Sequence, residues 1–325
     1  MNKITVDKIK NSRNPFIVFI SENFGILLAF IGISVIVSFI SPVFLSSGNA
    51  LSVGRQIFVN GSLSLGMALV IILGGIDLSV GAVVALSGTL TVGMINQGVP
   101  ITFACIIGLL VGVAVGLCNG LIITGTGMAP FVVTMCTMNI ARGLAYIYSG
   151  GLPIRCLQDC FGEIGNGYLG PIPLPIIYLI VFTIIISLLL SHTKFGTYMY
   201  AIGGNRVAAR FSGIKTRKVE TIVYVISGFL SGFAGVVLAA RMYSGQPSVA
   251  SGFELDAIAA CVLGGVSMTG GLGKVGGVII GVLIIGIISN GLNLLNINSF
   301  WQLIVKGIIV LIAVYVDILK KKNNS

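Results

Sequence analysis

Apolar runs of about twenty residues, long enough to cross a lipid bilayer as helices, follow one another along most of this chain. Only 9% of the 325 residues are charged and 56% are hydrophobic. Charged residues make up about a quarter of an average soluble domain, so a soluble globular fold is excluded. The sequence predicts an all-α polytopic membrane protein with one transmembrane domain over residues 1–325.

Turn residues and charges divide the chain into ten predicted spans, which lie near residues 16–41, 51–73, 78–96, 100–123, 128–149, 172–191, 219–241, 254–271, 274–292 and 298–318. Basic residues gather at the N-terminus, between residues 192 and 220, and at the C-terminus. Cytoplasmic loops of membrane proteins carry an excess of Lys and Arg. With an even number of spans, both termini and the 192–220 loop are predicted to be cytoplasmic, and residues 150–171 form the main external loop.

The formal net charge of +10 is compatible with nucleic-acid binding as well as with a membrane surface. Because the cations concentrate in the three predicted cytoplasmic clusters, we expect them to contact anionic lipid headgroups. The sequence therefore predicts contact with membrane lipid and no nucleic-acid partner.

The loop from residue 192 to residue 220 is the longest polar segment between apolar runs. Asn205 is a favoured helix N-cap and Gly213 a favoured left-handed C-terminal residue, so a helix of about two turns is predicted between them. Val207, Ala208 and Phe211 fall on one side of that helix by their spacing. This apolar ridge is either a surface that docks into a partner or a connector that lies on lipid headgroups.

The segment LGGIDLSVGA, residues 73–82, interrupts two apolar runs with paired glycines, an acid and a serine. Non-helical backbone at membrane depth is tolerated only inside protein or against water. Asp77, with Ser79 as its partner, is therefore a candidate for a gate or a residue of the translocation pathway. The alternative is a plain helix N-cap at a turn, since Asp is a favoured capping residue.

Other polar side chains lie within or near the predicted spans: Asn119, Asn139, Asn290, Asn293 and Arg142. Polar groups are costly in that environment and need partners. An array of asparagines facing a cavity can exchange hydrogen bonds with sugar hydroxyls, because an amide both donates and accepts. Each asparagine can instead bond a neighbouring helix.

Glu254 and Asp256 stand where a predicted outer loop enters the eighth span. Acids at a helix N-terminus are stabilised by the helix dipole, which gives them a structural explanation. The functional alternative is a salt bridge to a protein that docks from outside.

Glycines recur every four residues in two places, at Gly108, Gly112, Gly116 and Gly120, and at Gly273, Gly277 and Gly281. Such spacing lines one helix face and lets another backbone approach closely. Tightly packed helices of this kind favour a transporter over an open pore.

Motifs for covalent chemistry are missing from the sequence. GGLGK at residues 270–274 lacks the first glycine and the final Ser or Thr of a phosphate-binding loop, and the single histidine, His192, has no metal-binding constellation. Neither a catalytic residue, nor a metal site, nor a bound cofactor is predicted. Cys156 and Cys160 share the predicted external loop, where a disulfide is possible but not required.

Long motifs in a fixed order occupy residues 66–82, 130–151, 200–214, 252–277 and 290–307. Over nearly the full chain they resemble the permeases of ATP-binding-cassette importers for ribose, xylose and galactose. Ribose permeases are the most similar, in particular through PFVVTMCTMNIARGLAYIYSGG at residues 130–151. The chain departs from this family at Arg206, where relatives often have an acid.

The resemblance implies a permease subunit that imports a simple sugar, ribose or a related monosaccharide, by alternating access. It further implies a second permease subunit in a homodimer, a cytoplasmic ATPase that uses ATP and Mg²⁺, and an external solute-binding protein. The location would be the plasma membrane of a prokaryote. The residues that would couple the permease to the ATPase are Gly203, Gly204, Asn205, Val207, Ala208, Ala209, Phe211, Ser212 and Gly213.

An ion-coupled secondary sugar transporter is the alternative to an ATP-driven importer. Such transporters usually carry carboxylates or histidines within the membrane for their coupling ion. The candidates for such a role near the predicted spans are Asp77, Glu254 and Asp256, and this small number favours the ATP-driven importer.

Overall fold

The computed structural model describes residues 15–298 and, beyond them, residues 300–305, 307, 308, 311 and 315. The predicted cytoplasmic termini and much of the predicted tenth span lie outside the described residues. Most of the described residues lie in helices, and the prediction of an all-α polytopic protein is confirmed.

The helices, in chain order, are α1 (Pro15–Ile40), α2 (Ser47–Ile72), α3 (Val80–Asn96), α4 (Ile101–Thr126), α5 (Pro130–Ser149), α6 (Glu163–Asn166), α7 (Leu174–His192), α8 (Lys194–Gly204), α9 (Arg206–Phe211), α10 (Thr216–Met242), α11 (Phe253–Leu263) and α12 (Val275–Leu294). Within the described ranges, six helices are long and apolar enough to cross a membrane: α1, α2, α4, α7, α10 and α12.

Four two-residue strands lie in the connections. β1 (Ile154–Arg155) pairs antiparallel with β4 (Ser244–Gly245), with Ile154 opposite Gly245. β2 (Tyr168–Leu169) pairs antiparallel with β3 (Ile172–Pro173). We call the end of the bundle that carries the 192–220 loop the basic end, and the end that carries these strands the opposite end.

The most buried of the six long apolar helices are α2, α10 and α12. Of their apolar windows, 89% of residues in α2 and 72% in each of α10 and α12 are buried, against 22% in each of α4 and α7. The rings of Phe58, Tyr178 and Phe233 meet edge to face between α2, α7 and α10, with centroids 5.3–6.1 Å apart. Because α4 and α7 expose their apolar side chains at the perimeter, we expect lipid to cover them.

The glycine stripe of α4 is a packing contact, as predicted. A Cβ on Gly112 would lie 2.9 Å from the Cα of Gly232 in α10, and one on Gly116 would lie 2.9 Å from the carbonyl carbon of Tyr224 in the same helix. Both distances are too short for a real side chain, so the two backbones are in direct contact. α10 contributes two glycines of its own to this contact, Gly228 and Gly232, which the spacing in α4 did not predict.

Replacing Gly112 with Leu is therefore expected to force α4 away from α10. Overpacking in a well-packed interior lowers the free energy of unfolding by about 1–3 kcal/mol. Here the new side chain would clash with backbone atoms, which cannot change rotamer as a side chain can. The measurement is the thermal stability of the purified permease in detergent. Gly125→Leu is the control on the same helix, since nothing lies within 4 Å of a Cβ at Gly125. Equal stability of the two variants would contradict the packing contact.

The prediction of an eighth full span at residues 254–271 is wrong. The helix there, α11, has 11 residues, and a helix of that length extends only about 16 Å. The turn that follows it is built on glycines with positive φ, Gly265, Gly270 and Gly271. No charged residue lies between Asp256 and Lys274, so the charges that bounded the predicted span did not reveal this turn.

A non-helical segment, residues 243–252, precedes α11 and enters the bundle beside α3. A Cβ on Gly245 would lie 2.7 Å from the Cα of Thr89, and one on Gly81 would lie 2.5 Å from the carbonyl oxygen of Ala250. Gly81 lies about 22 Å along α3 from Asn96, where that helix ends at the opposite end of the bundle. The segment thus penetrates deeply, and surrounding helices supply the protein environment that non-helical backbone requires.

The polar loop at the basic end contains more structure than the sequence predicted. Besides the predicted short helix, α9, it holds α8, which begins where the Thr193 hydroxyl accepts a hydrogen bond from the Gly196 amide at 3.2 Å. Met199 and Ile202 of α8 are buried. This helix anchors the loop to the bundle.

Candidate functional site

The short helix α9 has the capping residues that the sequence predicted. Asn205 accepts a hydrogen bond from the Ala208 amide at 2.9 Å, and Gly213 adopts a φ of 82°. Val207 and Phe211 are 65% and 89% exposed. The predicted apolar ridge of Val207, Ala208 and Phe211 therefore projects from the protein.

The underside of α9 is fixed to the bundle. Ala209, one of the predicted coupling residues, is buried, whereas Ser212 is exposed. Arg206 forms two contacts with the carboxylate of Glu220 in α10, Nε to Oε1 and Nη2 to Oε2, both at 2.7 Å. Two parallel charge-assisted bonds fix orientation as well as distance. The departure at Arg206 thus gives this chain an ion pair that the sequence analysis did not foresee.

Gly203 and Gly204 join this surface to the interior. The backbone of Gly203 lies against the carbonyl of Ile72, at the end of α2, and a Cβ on Gly203 would lie 2.5 Å from the amide nitrogen of Gly271. The Gly271 amide donates to the same Ile72 carbonyl at 2.8 Å. Three separate segments therefore meet backbone to backbone at the basic end.

Tyr200 of α8 strengthens this junction. Its hydroxyl donates to the carbonyl of Gly273 at 2.7 Å. Burial raises the pKa of the Tyr200 phenol above its usual value, so the hydroxyl stays a proton donor at physiological pH. Sequence reasoning missed Tyr200, because one tyrosine in a polar loop carries no distinguishing pattern.

Three of the pathway candidates come together in one buried network: Asp77, Ser79 and Asn119. Asp77 Oδ1 accepts from the Ser79 amide at 3.0 Å and from its hydroxyl at 2.6 Å. Asn119 Nδ2 donates to the Ser79 hydroxyl at 3.0 Å. All three residues are at most 2% exposed. The carboxylate is thus satisfied inside the protein, in a segment that leads into α3.

Two hydroxyls that the sequence analysis did not single out complete this network. Ser227 of α10 donates to Asp77 Oδ2 at 2.8 Å, and Thr137 of α5 donates to Asn119 Oδ1 at 2.7 Å. The network therefore links the 73–79 segment to α4, α5 and α10. Serine and threonine are common in membrane helices, so the positions of Ser227 and Thr137 in the sequence did not indicate a role.

Arg142 of α5 lies elsewhere, on the inserted 243–252 segment. Its Nη1 donates to the carbonyls of Pro247 at 2.8 Å and Val249 at 2.6 Å. The guanidinium of Arg142 thus connects α5 to the inserted segment through hydrogen bonds to main-chain carbonyls.

The remaining asparagine candidates are dispersed. Asn290 exchanges two amide hydrogen bonds with Asn49 of α2, at 2.8 and 3.0 Å. Asn293 accepts from Gln302 Nε2 at 2.8 Å. Asn139 is exposed on α5. The structure does not bring these residues to the Asp77 network.

Glu254 and Asp256 lie at the start of α11, deep within the bundle. Asp256 is 2% exposed. Glu254 is half-buried, and a Cβ on Gly81 would lie 2.5 Å from its Oε2. Because the preceding segment inserts instead of staying at the surface, these acids are not placed where an external protein would reach them.

Cys156 and Cys160 are both free thiols. Cys156 is buried and Cys160 is exposed. The disulfide that the sequence left open is therefore not formed in this structure.

Comparison with known proteins finds a family and several relatives. Residues 49–314 match a family described as a branched-chain amino acid transport system permease component. A ribose import permease protein of Bacillus subtilis (strain 168) is 47% identical over 306 residues, covering 94% of each chain. An L-arabinose transport system permease protein of Escherichia coli (strain K12) is 40% identical over 301 residues, covering 93% of this chain and 92% of that protein. No solved structure matches the chain.

Proposed function

This chain belongs to the family of branched-chain amino acid transport system permease components, and we propose that within it the chain imports ribose or a closely related pentose. It is the transmembrane subunit of an ATP-binding-cassette importer, a multi-pass protein of the bacterial inner membrane and not an enzyme. The similarity to a ribose import permease over 94% of both chains carries the choice of sugar. A second relative named for L-arabinose, also a pentose, supports the wider class.

The proposed partner at the basic end is a separate ATPase subunit, which would bind the ATP and Mg²⁺. The exposed ridge of Val207, Ala208 and Phe211 is the proposed contact. Burying such a ridge in a groove of the partner would remove apolar surface from water. The Arg206–Glu220 ion pair supports this role, since it gives the short helix one orientation.

A movement of α9 would reach the interior through main-chain contacts. Gly203 lies against the Ile72 carbonyl, and five residues after Ile72 the chain reaches Asp77. We propose that the hydrogen bonds of the Asp77 network keep the 73–79 segment attached to α10, α4 and α5 when these helices shift between the inward-open and outward-open states. Asp77, Ser79 and Asn119 would then control the gate without contacting the sugar.

A second copy of this chain is the proposed partner of α5. The helix exposes a polar amide, Asn139, among large apolar side chains such as Ile140, Leu144 and Ile147. A polar group on a lipid-facing surface is costly. A homodimer with a water-filled sugar path between the two α5 helices would remove that cost, and Asn139 would then offer hydrogen bonds to sugar hydroxyls.

The two relatives are named as a ribose import permease and as a permease of an L-arabinose transport system, and neither name supports the ion-coupled alternative. Asp77 also accepts three hydrogen bonds from Ser79 and Ser227 within the protein, so its carboxylate is already satisfied.

The proposed sugar is tested by competition in a strain that lacks its own pentose importers and expresses this permease with its partner subunits. Labelled ribose should enter, and excess unlabelled ribose should compete more strongly than arabinose, xylose or galactose. Uptake of a branched-chain amino acid instead of any sugar would refute the proposal.

The proposed orientation is tested by cysteine labelling in sealed cells, in a variant lacking the exposed thiols of Cys118, Cys136 and Cys160. A cysteine at Asp159 should react with a membrane-impermeant maleimide, whereas a cysteine at Asn205 should react only after the cells are permeabilised. Labelling of position 205 in sealed cells would put the 192–220 loop outside and exclude its contact with the ATPase.

A further inference from the structure

Tyr200 connects the loop at the basic end to a part of the bundle that the proposed route through Ile72 does not use. It is half-buried on α8, and its hydroxyl donates to the carbonyl of Gly273 at 2.7 Å. Gly273 belongs to the turn between α11 and α12, residues 264–274, which we call the glycine turn. The proposed ATPase contact lies on α9, the helix that directly follows α8. A movement of this loop therefore acts on the glycine turn as well.

The glycine turn is closed by its own hydrogen bonds. The Ser267 amide donates to the carbonyl of Leu272 at 3.0 Å, and the Gly270 amide donates to the carbonyl of Ser267 at 2.9 Å. Because the turn is cross-linked in this way, a displacement of Gly273 would move the turn as one unit.

The two helices that the glycine turn joins are packed backbone to backbone. A Cβ on Gly264, at the end of α11, would lie 2.6 Å from the carbonyl carbon of Gly277 in α12. A Cβ on Gly281 would lie 2.9 Å from the carbonyl carbon of Ala260. Contact this close along both helices makes α11, the glycine turn and α12 a single hairpin.

This hairpin is continuous with the inserted segment, residues 243–252. α11 begins at Phe253, and the Gly252 amide donates to Glu254 Oε1 at 3.2 Å, which ties the end of the segment to the first turn of the helix. Arg142 of α5 holds the same segment through two of its carbonyls. A displacement of the hairpin would therefore reach α5, the helix proposed to line the sugar path.

The surroundings of the glycine turn leave it room to move. A cavity of about 600 Å³ lies between the end of α7 and the start of α12. Its walls include Ser187, Leu190 and Ser191 of α7, together with Tyr200 and residues 271–277. A closely packed interior resists displacement, since every shift creates a clash. The cavity lets the glycine turn shift toward α7 without one.

We propose that Tyr200 is a positioning residue for transport, whose hydroxyl transmits a movement of α8 to the α11–α12 hairpin and so to the inserted segment. This inference rests on the proposed function, which supplies the ATPase that would move the loop. A tyrosine suits this role because its ring is rigid and its side chain turns about only two torsions. A shift of α8 is therefore passed to Gly273 instead of being absorbed by the side chain.

The test measures ribose imported per ATP hydrolysed by vesicles that contain the permease–ATPase complex and are supplied with the sugar-binding protein. Tyr200→Phe keeps the ring and removes the donor. We expect the ratio to fall about fivefold, the factor that corresponds to about 1 kcal/mol, a typical net hydrogen bond. Tyr198→Phe is the matched control. Tyr198 is exposed on the same helix and loses the same hydroxyl, so the ratio should stay at the wild-type value.

Replacing Tyr200 with 4-aminophenylalanine should restore most of the ratio, because its amine still donates to the Gly273 carbonyl.

A second measurement follows the inserted segment directly, in a variant lacking the exposed thiols of Cys118, Cys136 and Cys160. Ser248→Cys places a thiol at an exposed position of that segment. Its rate of reaction with a maleimide should differ between the nucleotide-free complex and the complex trapped with ATP and vanadate. Tyr200→Phe should remove most of this difference, and Tyr198→Phe should keep it.

Equal transport ratios in Tyr200→Phe and Tyr198→Phe would overturn the inference. A Tyr200→Phe variant that unfolds at a lower temperature or separates from the ATPase, but keeps its transport ratio and the change at Ser248→Cys, would also overturn it, since the tyrosine would then only brace the loop. If the wild-type complex imports no ribose with ATP, it is the proposed function that fails, and the inference fails with it.

Discussion

Ala208→Asp is expected to abolish sugar import while leaving the permease folded and inserted in the membrane. Ala208 is exposed on the ridge of α9, between Val207 and Phe211. If the ridge enters a groove of the ATPase, the new carboxylate would be buried there without a partner, at a cost of several kcal/mol. Each 1.4 kcal/mol changes the affinity about tenfold, so the complex should separate during purification.

The structure shows why this substitution should not harm the permease itself. Asn205 caps the helix and Ala208 is its third residue, where an acidic side chain is favourable to the helix dipole. The Ala208 amide, which donates to Asn205, is unchanged by the substitution. The variant should therefore unfold at the wild-type temperature.

Thr197→Asp is the matched control for Ala208→Asp. Thr197 is exposed on α8 in the same loop, so the change in charge is identical while the ridge is untouched. The control should co-purify with the ATPase and import sugar. If Ala208→Asp behaves in the same way as the control, the ridge rests on lipid or water, and the proposed coupling helix would have to be abandoned.

Asp77→Ala is expected to give the second large effect, a loss of folded permease. The substitution removes the acceptor for the Ser79 amide and for the hydroxyls of Ser79 and Ser227, all in the interior. Leaving a buried donor without an acceptor costs about 1–3 kcal/mol, and the substitution does this to three donors. Since most proteins are stable by only about 5–15 kcal/mol, little of the variant should accumulate in membranes.

Two milder variants identify what Asp77 contributes. Ser227→Ala removes one donor and should cost about 1 kcal/mol. Asp77→Asn keeps the shape and an acceptor, and the serine hydroxyls can rotate to accept from the new amide. We expect it to fold and to import sugar. An Asp77→Ala variant as stable as wild type would contradict the network, and an Asp77→Asn variant that folds but does not transport would assign a role to the negative charge itself.

The helical architecture and the short helix at the basic end could be predicted from the sequence because each rests on local rules. Runs of about twenty apolar residues have to be helical in a bilayer. Asn205 and Gly213 determine where α9 begins and ends, whatever surrounds it. The glycine stripe at Gly112 and Gly116 was predictable for the same reason, although its partner on α10 was not.

The inserted segment at residues 243–252 could not be predicted, because it depends on contacts between distant parts of the chain. Its position is determined by Arg142, more than a hundred residues earlier, and by the close approach of Gly81. Once the segment inserts, Glu254 and Asp256 are carried inside with it. The Asp77 network shows the same limit, since Asp77 and Ser79 are neighbours in sequence but Ser227 is 150 residues away.

The most direct test of an ATP-driven importer is ribose uptake by vesicles that contain the permease and its ATPase, with ATP inside and the sugar-binding protein outside. The account predicts uptake that requires ATP and the sugar-binding protein and that continues when ionophores collapse the proton and sodium gradients. Uptake that continues without ATP and stops when those gradients collapse would contradict it.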